Sequence, residues 1–454
     1  MRRVAIIGGG FAGLAAGVEL AARGYRVTVL EARARLGGRA YSFRDDASGE
    51  IVDNGQHALM GCYRHTLAFL DRIGAAHKLA RQPNLYVPMI DVHRGAGAIA
   101  CAPLPSPLHL LSGVLRYALL TRTEQIRALL AGMRIMTMRR RHDSRLGQCT
   151  VTELLAVLGQ SANARRVFWD PVTVATLNES PDRAAAGPFA EVLARAFFRS
   201  REDSQFLLPT VGLSDLYTDD ARQYLARHGG AVMLRSQVVT LSLREGMVTA
   251  VRLRDGSEIE TDACICAVPP PALATLLPDA VRKAAALRAI DTFDSCPIVS
   301  AHLWFDRPIL SSAFLGLLGT TTQWAFNRNQ LVGAINDEQQ GISAVISAGR
   351  DVVEWPAAQI VNTVVADLRT LLPAARTANV VQSVVVKEKR ATVSVTPAAE
   401  RLRPPSTTSV TNLFLAGDWI NTGLPPTIES AVCSGQRAAA LVVRNLQVPR
   451  SAAA

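Results

Sequence analysis

The stretch VAIIGGGFAGLAAGVELAARGYRVTVLE, residues 4–31, decides the fold. Residues 4–7 form a short apolar run of the kind that makes a buried parallel strand, and the run ends directly in Gly8-Gly9-Gly10-Phe11-Ala12-Gly13. Residues 14–23 read as a helix, Gly24 ends it, and residues 25–30 restore a strand that finishes on Glu31. In such a unit Gly8 permits the tight turn, Gly10 lets the backbone approach a pyrophosphate, and Gly13 lets helix and strand pack closely. The helix N-terminus offers unsatisfied N–H groups to phosphates. Glu31 stands where an acid accepts from a ribose hydroxyl. A glycine-rich turn in any α/β protein is the bland alternative; strand, helix, second strand and terminal acid together argue for a Rossmann-like dinucleotide unit.

The rest of the chain bounds what this unit serves. With 454 residues, 49% of them hydrophobic, the chain can bury a large core and predicts two domains. A formal charge of +11, from 49 Lys and Arg against 38 Asp and Glu, suits an anionic surface or ligand. Sparse aromatics without basic interleaving argue against nucleic acid. The seven cysteines, at 62, 101, 149, 264, 266, 296 and 433, include no CxxC pair and no zinc spacing, so we read them as reduced thiols in a cytoplasmic protein with no metal site. Arg2 and Arg3 before an apolar run imitate a signal peptide, but the glycines of residues 8–13 interrupt that run. No uncharged run approaches the roughly 18–20 residues that span a bilayer. If a membrane matters, the protein lies on it.

Two further stretches extend the dinucleotide motif. After Glu31 comes Ala32-Arg33-Ala34-Arg35-Leu36-Gly37-Gly38-Arg39, and near the C-terminus residues 413–415 read as a strand ending in Ala416-Gly417-Asp418-Trp419. Both resemble segments of the amine oxidase and phytoene desaturase group of flavoproteins. The resemblance implies FAD, with Asp418 on the ribityl chain and a helix starting near Pro426-Thr427 that aims its positive end at the flavin pyrimidine. It also implies an adenine contact from the backbone at Gln237-Val238, on a strand predicted over residues 231–241; a plain core strand is the alternative. Since these motifs lie at both ends, the flavin-binding domain is expected to be discontinuous, over 1–82, 212–290 and 405–454. An α+β substrate domain is expected at 83–211 and 291–404. Strands are predicted at 248–253 and 258–266 around the Asp255-Gly256 turn, at 298–305 and at 380–386, with a helix at 357–372.

Residues 108–138 combine Leu110, Leu111, Val114, Leu115, Ile126, Leu129, Leu130 and Met133 with Arg116, Arg122, Arg127, Arg134 and the run Arg139-Arg140-Arg141. This pattern predicts a basic amphipathic helical pair in a membrane interface, opening toward a lipid-phase substrate. Ordinary core-packed helices with solvated arginines are the alternative.

A last stretch, DNGQHALMGCYRH at residues 53–65, joins the Gly-Gly-Arg segment and the ending Pro425-Pro426-Thr427-Ile428-Glu429-Ser430 in a narrower pattern. With it the chain resembles, over its full length, the bacterial hydroxysqualene dehydroxylases of hopanoid synthesis. On this resemblance the flavin contacts fall on Gly8, Gly10, Phe11, Ala12 and Gly13, then on Glu31, Ala32 and Arg33. Further contacts fall on Gly37, Gly38 and Arg39, on Gly55, Gln56 and His57, on Val238, and on Gly417, Asp418, Pro426, Thr427 and Ile428. The implied reaction is a reduction in which an allylic C30 alcohol loses its hydroxyl and gains a hydride from reduced, noncovalent FAD. Such a site needs an acid near the C–O bond and a dry channel beside it.

His57 is the first candidate for that acid, with Asp53 to orient it, and Glu429 is the second. A turn at Asn54-Gly55 with a merely packed His57, and a capping Glu429, are the bland readings. The implied partners are an isoprenoid substrate, an unidentified external reductant and the inner face of the cytoplasmic membrane. Two rivals stay open: a desaturase or oxidase of a carotenoid-like, amine or porphyrinogen substrate, and a non-catalytic prenyl-lipid carrier of the same architecture.

Overall fold

A computed structural model describes residues 1–47, 49–284, 287–333 and 338–447; residues 48, 285–286, 334–337 and 448–454 of the expected domain segments lie outside the described residues. The glycine-rich turn follows the C-terminal end of the central strand of a five-stranded parallel sheet in the order Ala231–Met233, Arg26–Leu30, Arg3–Ile7, Ala263–Cys266, Leu413–Leu415. Both faces of this sheet are covered, as expected of apolar strands in parallel pairing. Val4 and Ile6 pack toward the helices Phe11–Ala21 and Ile428–Gln447, whereas Ala5 and Ile7 pack toward a three-stranded antiparallel layer. Cys264 and Cys266 share the second of these cores and are fully buried.

Two predicted strands are broken. Residues 231–241 form Ala231–Met233 and Val238–Arg244, which belong to different sheets. Between them Arg235 takes a left-handed φ of 53°, and the amides of Arg235 and Ser236 donate to the carbonyls of Arg33 and Glu31. The chain thus wraps around the end of the second strand. Residues 258–266 likewise divide into Glu258–Glu260 and Ala263–Cys266. At the corner Thr261 Oγ1 accepts from the Ala5 amide, and this contact moves the chain from the antiparallel layer into the parallel sheet.

A second, seven-stranded sheet runs Val380–Val393, Ser295–Phe305, Gln340–Ile346, Trp324–Asn327, Phe314–Leu318, Tyr86–Asp91, Gly95–Ala100. Alternation along Ser295–Phe305 sorts its side chains. Val299, Ala301, Leu303 and Phe305 join a core with Ile360, Val364 and Leu368 of the helix Ala357–Leu371. Ile298, Ser300, His302 and Trp304 therefore face the opposite way, toward residues 53–57. Strand Phe206–Pro209, expected in the inserted domain, pairs with Leu59–Met60 and Leu79–Arg81 of the first segment. A helical layer that includes Leu108–Arg116, Arg122–Arg140 and Asp170–Leu177 closes one end. Two π-helical turns in it, Arg165–Trp169 and Leu193–Phe198, carry the aromatic pairs Phe168, Trp169 and Phe197, Phe198. Among the described residues no helix is long and apolar enough to cross a membrane.

Candidate active site

One continuous cavity of about 1200 Å³ joins the parallel sheet, the seven-stranded sheet and the helical layer. At its polar end the turn after the first strand is shaped by glycine. Gly8 has φ of 109°, and a Cβ there would lie 2.5 Å from the Ala267 carbonyl oxygen. A Cβ on Gly10 would meet nothing closer than Gly38 Cα at 3.7 Å, so this position opens a cradle toward Gly37 and Gly38. Gly10 caps the Phe11–Ala21 helix without any side-chain cap, which leaves its first amides facing the cavity. Gly13 is different: a Cβ there would stand 1.9 Å from the Gly8 carbonyl oxygen, so it sets helix–strand contact and does not line the cavity. Glu31 accepts from the amides of Gly9 at 2.8 Å and Arg33 at 2.9 Å, which fixes its carboxylate at the end of the second strand.

The opposite wall comes from the C-terminus. Gly417, with its amide accepted by Ser434 Oγ at 2.8 Å, precedes Asp418, and Arg39 Nη2 reaches Asp418 Oδ1 at 2.5 Å. Burial alone would lower the Arg39 pKa, but the Asp418 carboxylate more than offsets it and holds the guanidinium charged. Behind this pair stands Arg403, which the sequence reading passed over. Its buried guanidinium donates to the carbonyls of Asp418, Ile420 and Leu424 at 2.7–2.8 Å and of Trp419 at 3.3 Å. An arginine followed by prolines carries no motif, so no sequence signal pointed to it. Of the remaining expected contacts, Phe11, Ala12, Ala32, Arg33, Gly37, Gly38, Val238, Pro426, Thr427 and Ile428 all line the cavity.

Residues 53–57 form the third wall. Asn54 Nδ2 donates to the Arg39 carbonyl at 2.8 Å and its Oδ1 accepts from the Tyr41 amide at 3.2 Å, so the loop is tied to the Gly-Gly-Arg segment. Gly55, Gln56 and His57 face the cavity. His57 Nδ1 lies 2.7 Å from the Gly55 carbonyl oxygen. A carbonyl only accepts, so Nδ1 carries the proton. Burial lowers the His57 pKa and raises that of Asp53, which favours the neutral form of both. Asp53 does not orient the His57 ring as expected: its Oδ1 accepts from Ser42 Oγ at 2.7 Å and from the Leu213 amide at 2.9 Å. Glu429 is not on the cavity wall. Its carboxylate accepts from the amides of His65 and Thr66 and from Thr66 Oγ1 at 2.7–2.9 Å, capping the helix Arg64–Arg72. Those bonds occupy both carboxylate oxygens.

Beyond His57 the cavity turns apolar. Phe206, Phe314, Trp324 and Phe326 meet around Phe314 with centroid separations of 5.6–6.3 Å, and all four line the cavity. The far end is lined by Leu108, Leu111, Ile126, Leu130 and Met133, which are also 39–55% exposed on the outer surface. The same side chains thus face both the cavity and the exterior, and they form its mouth. No cysteine lines the cavity, and no cluster of metal-ligating residues occurs among the described residues.

The family model for flavin containing amine oxidoreductases matches residues 11–443. Hydroxysqualene dehydroxylases of Rhodopseudomonas palustris and Sinorhizobium fredii are 30% and 29% identical, each over 97% of this chain and 98% of the relative. The 15-cis-phytoene desaturase of Arabidopsis thaliana is 23% identical over 98% of this chain and 81% of the relative. Among solved structures, a putative protoporphyrinogen oxidase from Exiguobacterium aligns with a TM-score of 0.70 and 18% identity, covering 98% of this chain and 99% of the other. That last likeness concerns the fold.

Proposed function

We propose a specific reaction from one premise: the chain belongs to the flavin containing amine oxidoreductase family and is a flavin-dependent oxidoreductase similar to hydroxysqualene dehydroxylases. The reaction is the reductive dehydroxylation of hydroxysqualene to squalene, with FAD bound noncovalently. What carries this reading is the cavity itself, which runs from an anion-ready glycine turn to an apolar mouth on the surface. A prenyl-lipid carrier has no use for the first of these, so we set that rival aside.

The residues present fit the cofactor. The cradle at Gly10 and the open helix amides suit the diphosphate, Glu31 suits a ribose, and Arg39 with Asp418 suits the chain between phosphate and flavin ring. When bound, reduced flavin would supply the hydride that replaces the allylic hydroxyl, which would leave as water with one proton from the protein, and an external two-electron donor would restore the reduced state. His57 is the group that passes the proton to the departing oxygen. Its resting imidazole is held neutral by burial, with its one proton on Nδ1 against the Gly55 carbonyl, so Nε2 must first take up from neighbouring groups the proton that it then gives. The aromatic limb around Phe314 keeps the isoprenoid chain and the reacting carbon away from bulk water.

The domain division at 1–82, 212–290 and 405–454 against 83–211 and 291–404 belongs to the same proposal. So does a seat on the inner face of the cytoplasmic membrane. The mouth residues of Leu108–Arg116 and Arg122–Arg140 enter the interface there, and exposed arginines meet anionic headgroups. The test is a yellow preparation whose flavin is released by denaturation and which, under a reductant, converts hydroxysqualene to squalene. Absence of squalene overturns the reading. Removal of hydrogen from a polyene precursor would favour a desaturase, the reading that the phytoene desaturase relatives support.

A further inference from the structure

Where the dinucleotide end of the cavity meets the aromatic limb, its wall carries Asn178, Ser347 and Thr392. Ala391, just before Thr392, accepts at its carbonyl from Arg39 Nη1 at 3.1 Å, and the same arginine holds Asp418. Ser347 stands two residues beyond Val345, which pairs with Trp324 of the aromatic limb. Thr392 is presented by an irregularity in the strand Val380–Val393. Cys296 pairs with Thr392 and Ile298 with Glu388, so Pro297 alone faces Lys389, Arg390 and Ala391. A proline has no amide proton to give the ladder, and a bulge of this kind re-aims the side chains beside it.

Asn178 fixes which way the Thr392 hydroxyl points. It closes the helix Asp170–Leu177 in a left-handed conformation with φ of 49°, and it is buried. Its Oδ1 accepts from the Ala348 amide at 2.8 Å, and its Nδ2 donates to the Cys296 carbonyl at 3.1 Å and to Thr392 Oγ1 at 2.9 Å. A backbone amide only donates and a carbonyl only accepts, so the side-chain amide has one orientation. The next residue anchors it: Glu179 accepts from Arg350 Nη2 at 2.8 Å and from Ser394 Oγ. Thr392 Oγ1 is therefore an acceptor toward the protein, and nothing among the described residues takes its proton. Ser347 uses only its backbone, with the Gln323 side chain, and its Oγ has no partner among the described residues. Two uncommitted hydroxyls thus stand on one wall of a largely apolar cavity, tied together through the Asn178 amide.

We propose that Thr392 and Ser347 recognise the hydroxyl of an isoprenoid alcohol: Thr392 Oγ1 donates to the alcohol oxygen, and Ser347 Oγ accepts the alcohol proton. Asn178 is a positioning residue that acts through Thr392. The inference deepens the dehydroxylase reading and rests on it. An alcohol oxygen has two lone pairs, so one stays open to the proton with which it leaves. A buried hydroxyl left without a partner is costly; an alcohol satisfies this pair and a hydrocarbon of the same shape does not. Ile298, Phe314 and Val345, which line the cavity nearby, make no such distinction.

The test is equilibrium binding of hydroxysqualene and of squalene to the oxidised, flavin-loaded protein, where without a reductant no turnover occurs. Thr392→Val keeps the shape and removes the hydroxyl, and Ser347→Ala removes a single oxygen. Each should bind hydroxysqualene at least about fivefold more weakly than wild type and squalene equally well, and Thr392→Ser should restore the preference. Asn178→Asp, whose carboxylate takes the Thr392 proton for itself, should lose the same preference with Thr392 in place. Undiminished binding of the alcohol to either hydroxyl variant, or equal losses for both ligands, overturns the proposal. So does a shifted flavin spectrum in ligand-free Thr392→Val, which would put that hydroxyl on the flavin. The two hydroxyl variants decide if Asn178→Asp folds poorly. A wild-type protein that binds hydroxysqualene through Thr392 but makes no squalene under a reductant would defeat the dehydroxylase reading and leave the recognition site standing.

Discussion

Replacing Arg403 probes how the C-terminal wall of the cavity is held. Its side chain is 1% exposed, and it supplies donors to four carbonyls between Asp418 and Leu424 as well as to the Glu400 carboxylate. A hydrogen bond from a charged donor is worth about 1.5–3 kcal/mol, but such bonds from one group do not add. The nearer guide is the loss of one partner from a buried charged contact, about 3–5 kcal/mol. Arg403→Ala should therefore destabilise the protein by about that amount. Arg403→Lys, which keeps the charge but not the planar fork, should lose roughly half as much. Whatever part of the cost falls on ordering residues 417–424 must also weaken the flavin, at tenfold in Kd for each 1.4 kcal/mol. The assay is thermal unfolding together with the flavin-to-protein absorbance ratio of the purified variants. An Arg403→Ala protein with wild-type unfolding temperature and full flavin occupancy would refute the reasoning.

Glu429→Gln should cost about 1 kcal/mol of stability through the weakened cap of Arg64–Arg72 and leave turnover per bound flavin within about twofold of wild type; a hundredfold loss would return Glu429 to the chemistry. The His65 pKa is raised to about 9, first by its hydrogen bond to Cys433 and then by Gln436, against the effect of burial. A folded pKa above the ordinary 6.5 stabilises fully below that value and is lost as pH rises through about 9, so the unfolding-temperature gap between wild type and His65→Ala should shrink over that window. A gap constant from pH 6 to 9.5 would contradict it. Ile126 and Met133 are 55% and 54% exposed at the mouth. Burying each in lipid is worth about 1 kcal/mol, so Ile126→Glu with Met133→Glu should weaken flotation with anionic vesicles at least about tenfold, and unchanged flotation would remove the docking face. Reversing Arg139, Arg140 and Arg141 together is a poorer test, since Arg139 Nε already pairs with Glu191 at 2.6 Å.

What the sequence made legible follows from how local each signal is. The turn Gly8-Gly9-Gly10 is dictated by residues adjacent in the chain, and Gly13, read as a packing glycine, does stand against the Gly8 carbonyl. Val238 was read on a continuous strand. It reaches the cavity because that strand breaks at Arg235 and the chain folds around Arg33, a contact with a residue some two hundred positions away. Glu429 looked like a flavin-side acid from its place in the motif. Its role was set by the amides of His65 and Thr66, which no local pattern reveals. Ser300 and His302 lie in a strand predicted only as a run, and that their side chains face residues 53–57 shows only once the opposite loop is known.

Yellow holoprotein, reduced anaerobically and mixed with hydroxysqualene, should recover its oxidised flavin absorbance and yield one squalene per flavin. Recovery without squalene, or no recovery while a polyene precursor reduces the oxidised protein, would contradict the direction of the reaction proposed for this cavity.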